Sequence, residues 1–127
     1  MLIQHFSLMQ AEKFSLDFGH LRSLTGDDNE FMIEILELIV DQSPDVLDEM
    51  KGQLQTQAYG PLGATAHKYK SSINILGNPD LIRLMKDIEH ISTSSEEKEK
   101  LVDLVSEFEE VCDLLLDALK VELQNLQ

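Results

Sequence analysis

Apolar residues in this chain return every three or four positions, and this period predicts helices throughout. The clearest stripe consists of five residues: Leu62, Ala66, Tyr69, Ile73 and Leu76. An α-helix turns once every 3.6 residues, so residues with this spacing share one face. The alternation of apolar and polar residues that marks a half-buried strand is absent over any useful length. The sequence therefore predicts an all-α fold.

The N-terminal half divides into two predicted helices. Four residues form the apolar stripe of the first, short helix: Phe14, Phe18, Leu21 and Leu24. Asp27 or Asp28 can cap the second helix, because an aspartate side chain accepts hydrogen bonds from the amides of the first turn. Pro44 predicts a kink or a restart of that helix, with Ser43 as the cap of the restarted part.

Glycine and proline also divide the C-terminal half. Gly60-Pro61 predicts the start of a third helix, and Gly77 predicts its end. Asn78-Pro79 is a typical start for the next helix. A last helix is expected from about residue 96 towards residue 123, with Ser95 or a neighbour as its cap.

Short loops between amphipathic helices favour antiparallel neighbours. We therefore predict an antiparallel up-and-down four-helix bundle over about residues 14–125, with an N-terminal helical extension over residues 1–13. The length of 127 residues supports a single core, so we expect one domain over residues 1–127.

Charge narrows the classes of partner. Asp and Glu number 24 against 10 Lys and Arg, a net charge of −14. Nucleic acids and anionic membrane surfaces are therefore disfavoured as partners. No apolar stretch is long enough for a membrane span. Cys112 is the single cysteine, which excludes an intrachain disulfide and favours a reducing, cytoplasmic location.

The third predicted helix carries a histidine, His67, away from its apolar stripe. The candidate binding residues around it are small, polar or basic: Gly63, Ala64, Lys68, Lys70, Ser71 and Asn74. Residues 60–77 contain no Asp or Glu, which predicts a surface free of carboxylates around the imidazole. Small neighbours would allow another protein to approach His67 closely.

This pattern suits phosphoryl transfer. A neutral imidazole is nucleophilic near pH 7, and the charge on a transferring phosphoryl group needs a cation such as Lys70, one turn on. An outward histidine is more often plain solvated surface, so a helical adaptor module without phosphotransfer is the alternative. A metal carrier or small helical enzyme is disfavoured, because the sequence shows no convergent cluster of polar residues. A zinc site in particular is disfavoured, because His5, His20 and His90 do not pair at helical spacing.

Residues 66–72, AHKYKSS, followed by Leu76-Gly77, resemble the signature of the histidine-phosphotransfer (Hpt) domain, whose core is H-x-x-K-G. Residues 14–17, 24–27 and 30–31 resemble the usual approach to that family's second helix. The resemblance implies a helical bundle, His67 as the phosphoacceptor and Lys70 as the residue that assists the phosphoryl group. Ser71 stands where the family usually has glycine.

The resemblance further implies a phosphorelay intermediate without kinase activity of its own and without a cofactor. Its expected partners are receiver domains of response regulators and of a hybrid sensor histidine kinase. The chain has no glycine-rich nucleotide loop. Residues 31–40 are apolar at eight of ten positions, which makes them a candidate docking surface.

Overall fold

The computed structural model describes residues 14–94 and 96–127, and most of their backbone is helical. Five helices occur there: α1 (Gly19–Thr25), α2 (Asn29–Gln55), α3 (Tyr59–Ile73), α4 (Pro79–Thr93) and α5 (Lys100–Leu126). A single 3₁₀ turn, Asn74–Leu76, follows α3. No strand is present in these two ranges, so the predicted all-α fold is confirmed.

Helices α2 to α5 form the bundle. Each of them packs on two others: α3 lies between α2 and α4, and α5 closes the ring by packing on α2 and α4. Neighbouring helices run antiparallel: Ser43 and Glu49 of α2 contact Tyr69 and Thr65 of α3 respectively, in reversed order. The up-and-down four-helix bundle is confirmed, whereas the expected extension over residues 1–13 lies outside the described residues.

The core of the bundle contains one buried polar pair among large apolar side chains. The ring of Tyr69 lies 5.4 Å from that of Phe108. Its hydroxyl lies 2.6 Å from the buried Ser43 Oγ, which itself lies 2.7 Å from the carbonyl of Ile39. Burial raises the pKa of Tyr69 well above its usual value, so this hydroxyl stays protonated and satisfied inside the core.

The first helix differs from the prediction. It begins at Gly19, and residues 14–18 are not helical. The amide of Asp17 bonds to the carbonyl of Leu76 at 2.9 Å, so this segment packs along the 3₁₀ turn instead. Leu24, predicted in the apolar stripe, is 60% exposed. Thr25 is buried in its place, with its hydroxyl bonded to a carbonyl one turn earlier.

Helix α2 runs through Pro44 without a break, so the predicted restart with Ser43 as a cap is wrong. Ser43 is buried and bonds to the carbonyl one turn earlier. Pro44 removes one backbone donor, and it lies on the exposed side of the helix. The remaining contacts of this long helix with α3 and α5 hold it together.

The predicted helix ends are mostly correct. Asp28 and Asn78 each accept a hydrogen bond from the amide three residues on. Gly77 adopts the left-handed conformation, with φ of 65°, which a glycine takes without strain. Helix α5 begins at Lys100, later than predicted, and no side chain caps it. Ser95, the predicted cap, lies outside the described residues.

Candidate functional site

His67 lies on the outer face of α3, as the spacing predicts. The buried face of this helix comprises six positions: Leu62, Gly63, Ala66, Tyr69 and Ile73, continued by Leu76 in the 3₁₀ turn. The side chain of His67 is 62% exposed. A partner protein can therefore reach the imidazole without any rearrangement of the bundle.

A carboxylate from the neighbouring helix forms hydrogen bonds with both His67 and Lys70. Glu89, on α4, places Oε2 2.8 Å from His67 Nδ1 and Oε1 3.0 Å from Lys70 Nζ. The hydrogen bond from Lys70, assisted by that from His67, lowers the pKa of Glu89 below its usual value. Glu89 is therefore ionised at neutral pH and bridges α3 to α4.

The predicted carboxylate-free surface around His67 is thus wrong. Residues 60–77 do lack Asp and Glu, but Glu89 is 22 positions away in sequence and reaches the site across the interface of two helices. Sequence spacing alone carries no signal for this contact, because it depends on the register in which α3 and α4 pack.

Gly63 explains how α4 comes so close. It is buried, and a Cβ placed on it would lie 3.2 Å from Ser92 Cβ and 3.3 Å from Thr93 Cγ2. These distances are shorter than ordinary van der Waals contact. We expected Gly63 to leave room for a partner at His67; instead it leaves room for α4. This close packing positions Glu89 one helical turn further along the same interface.

The geometry fixes which imidazole nitrogen is available for chemistry. An ionised carboxylate only accepts hydrogen bonds, so in the neutral imidazole Nδ1 carries the proton and donates it to Glu89. Nε2 then holds the lone pair. Because the ring is largely exposed, this lone pair is open to an electrophile from another protein.

Three of the remaining predicted site residues, Ala64, Lys68 and Ser71, lie close to His67 along α3, and the fourth, Asn74, lies further away. Ala64 and Ser71 are exposed and lie three positions before it and four after it. Lys68 is exposed and lies beside a groove between α3 and α2. Asn74 is exposed in the 3₁₀ turn, about two turns from His67. No hydrogen bond among the described residues joins Asn74 to the imidazole.

Large apolar side chains are exposed on α2. Phe31 is 47% exposed and Leu38 is 67% exposed, and their separation of seven residues places them on one side of the helix. Gln42 follows Leu38 on that side, and it lines the groove towards α3. The apolar excess of residues 31–40 thus contributes both to the core and to a surface next to α3.

The weaker candidates contribute no site in the described residues. Cys112 is buried, and burial raises the pKa of its thiol to about 11. His20 and His90 are exposed, and their imidazole rings form no hydrogen bond within residues 14–94 and 96–127. No group of three or more His, Cys, Asp or Glu in the same ranges is arranged to hold a metal ion.

Comparison with known proteins identifies the family. The family model described as the Hpt domain matches residues 34–127, which include all of α3, α4 and α5 and most of α2. Neither the curated proteins nor the solved structures compared with the chain gave a match. None of the described helices is long and apolar enough to cross a membrane. The chain belongs to the Hpt domain family, the histidine-phosphotransfer domains of phosphorelays.

Proposed function

We propose that this protein accepts a phosphoryl group on Nε2 of His67 from a receiver-domain aspartyl phosphate and passes it to the aspartate of a second receiver domain. The observation that carries the proposal is the Glu89 carboxylate, which lies 2.8 Å from His67 Nδ1 and 3.0 Å from Lys70 Nζ. It directs the Nε2 lone pair outwards and keeps a cation one turn away from the reacting ring.

In the proposed reaction, the lone pair of Nε2 attacks phosphorus as the bond to the aspartyl oxygen breaks in line with it. The aspartate leaves as a carboxylate, and the imidazole becomes a positively charged phosphohistidine. No proton has to leave Nε2. The proton on Nδ1 remains in its hydrogen bond to Glu89, where the negative charge stabilises the new cation. The reverse sequence delivers the phosphoryl group to the second receiver.

Lys70 has the role of stabilising the phosphoryl oxygens. Its side chain is only 23% exposed, and its ammonium group is paired with Glu89. A phosphoryl group on Nε2 brings about two negative charges close to it. The long side chain of lysine can turn towards these oxygens while Glu89 keeps its bond to His67. Lys68 adds positive potential beside the same surface.

The docking surface of the proposed receiver partner combines this polar site with the exposed apolar side chains of α2. Phe31 and Leu38 supply an apolar contact, and the exposed residues around His67 supply a polar rim, which is the arrangement of transient interfaces. The small side chains of Ala64 and Ser71 leave room for the receiver domain to come close to the imidazole. We place the protein in the cytoplasm, where it acts stoichiometrically and binds no nucleotide itself.

Incubation with receiver domains carrying a radioactive aspartyl phosphate tests this proposal. Wild-type protein should become labelled, and the label should be lost in acid, as expected of phosphohistidine. His67→Gln should abolish labelling, whereas His90→Gln, which changes another exposed histidine, should leave it intact. Lys70→Ala should slow labelling without unfolding the domain. Labelling that survives His67→Gln would refute the proposal, and stable binding of receivers without any labelling would support the adaptor alternative.

A further inference from the structure

A groove of about 480 Å³ lies between α2 and α3, on the side of α3 away from α4. Ala64 and Lys68 form part of its lining, and both are neighbours of His67 on the outer face of α3. The groove is therefore continuous with the surface that would meet a receiver domain. Its opposite wall belongs to α2.

The α2 wall has more hydrogen-bond acceptors than donors. Asp45 and Glu49 lie one turn apart on it. Glu49 Oε1 accepts from Thr65 Oγ1 at 2.9 Å and from Gln53 Nε2 at 3.4 Å, and no described residue donates to Oε2. Asp45 forms no side-chain hydrogen bond or ion pair within residues 14–94 and 96–127.

The cation nearest to this wall does not neutralise it. Lys68 lines the groove, yet it forms no ion pair with Asp45 or Glu49 in the described part of the chain. Gln53, on the same wall, has an enclosed amide oxygen to which none of the described residues donates. Among the described residues, the groove thus offers the Asp45 carboxylate and one oxygen of Glu49 to a donor from another protein.

We infer that this groove receives a basic side chain, arginine or lysine, from the receiver domain that docks on His67; this inference rests on the proposed function. A guanidinium group presents five N–H donors in a planar fork, which suits two carboxylates one turn apart. The phosphoaccepting aspartate of the receiver would meet His67 and Lys70, and its basic side chain would meet Asp45 and Glu49.

The alternation of charge gives this arrangement its function. The surface is basic around His67 and acidic in the neighbouring groove. It therefore fits a partner that is acidic opposite His67 and basic opposite the groove, and it repels a partner that is acidic at both places. The groove would therefore select among receiver domains and set the register in which the aspartyl phosphate faces Nε2.

The inference can be tested by the kinetics of phosphoryl transfer. The donor is the receiver domain that labels wild-type protein fastest. The double variant Asp45→Asn/Glu49→Gln should raise KM about tenfold and leave kcat within about twofold. It should also flatten the dependence of kcat/KM on salt. The matched control is Asp48→Asn, which removes a charge from the solvent-exposed part of the same helix and should change KM less than about twofold.

A charge exchange provides the second arm. Glu49→Lys should raise KM further, and a receiver in which the contacting basic residue is replaced by glutamate should restore transfer to Glu49→Lys. Thermal unfolding followed by circular dichroism verifies that each variant is folded. Equal KM values for the groove variant and the Asp48 control, or no recovery in any exchanged pair, would overturn the inference while labelling of His67 still supports the proposed function. Absence of labelling by every receiver would refute both.

Discussion

Replacement of Glu89 should change the chemistry of His67 more than the stability of the bundle. Glu89→Ala removes the acceptor that lies 2.8 Å from Nδ1 and the partner that lies 3.0 Å from Lys70 Nζ. In the neutral ring, the protein then no longer favours a proton on Nδ1 over a proton on Nε2. The fraction of molecules with an available lone pair on Nε2 should fall, and phosphoryl transfer should slow with it.

The size of this effect follows from the exposure of the pair. A hydrogen bond to a charged group contributes about 1.5–3 kcal/mol when it is shielded from water. The His67 side chain is 62% exposed and that of Glu89 is 31% exposed, so solvent reduces the value to about 1 kcal/mol. This free energy corresponds to about a fivefold change in the ratio of the two tautomers. With the two tautomers equally populated in the variant, the fraction of molecules with the lone pair on Nε2 falls from about five-sixths to about one-half. We therefore expect kcat for transfer to fall about twofold, with little change in KM.

Two comparisons separate a positioning role from a structural one. Glu89→Gln keeps an amide oxygen that can accept the Nδ1 proton, so its rate should lie between those of wild type and Glu89→Ala. Asp87→Ala removes one charge from the same helix on the side facing α5 and should leave the rate unchanged. Two-dimensional ¹H–¹⁵N spectra of the imidazole report directly which nitrogen is protonated.

The reasoning would be refuted if the Nδ1-protonated form were equally populated in wild type and in Glu89→Ala. It would also be refuted if Glu89→Ala and Asp87→Ala transferred phosphoryl groups at the same rate. A loss of rate accompanied by unfolding would assign Glu89 to stability instead.

Three further predictions concern the core and the helix interfaces. Ser43→Ala leaves the buried Tyr69 hydroxyl without a partner and should lower the free energy of unfolding in urea by about 1–3 kcal/mol. The double variant Ser43→Ala/Tyr69→Phe should recover most of this loss, and the absence of any recovery would contradict the pairing. A Cβ at position 52 meets no other atom, so Gly52→Ala should stabilise α2 by up to about 1 kcal/mol. Gly63 packs closely against α4, so Gly63→Ala should bring no such gain. Equal gains in stability would argue against close packing at Gly63. Burial raises the pKa of the Cys112 thiol to about 11 from a reference value of 9.0. As the pH rises, this thiol therefore ionises in the unfolded state before it does in the folded state, and the free energy of unfolding should fall between about pH 9 and pH 11. The same fall in Cys112→Ala would disprove this assignment.

Local signals predicted the ends of helices and the motif on α3. Asn78 bonds to an amide only three residues away, and Gly77 satisfies a requirement of its own backbone. His67 and Lys70 share one face because of helical spacing alone. Interactions of this kind involve neighbours in sequence, so residue types and their spacing are sufficient to predict them.

Features that depend on how helices pack could not be predicted in this way. Glu89 reaches His67 only because α3 and α4 meet in one particular register. The role of Gly63 depends on the same contact, since atoms of α4 lie close to the space that a Cβ on Gly63 would occupy. Leu24 had the spacing of a core residue, but Thr25 is buried beside it and Leu24 faces solvent. Each of these outcomes is decided by a second element that lies elsewhere in the sequence.

The position of the phosphoryl group on the protein tests the central claim most directly. After transfer from a phosphorylated receiver domain, ³¹P–¹H correlation spectra of the intact protein identify both the residue and the ring nitrogen that carry phosphorus. We predict a single phosphohistidine at His67 with phosphorus on Nε2 and the proton on Nδ1, next to Glu89. Phosphorus on Nδ1, or on any residue other than His67, would contradict it.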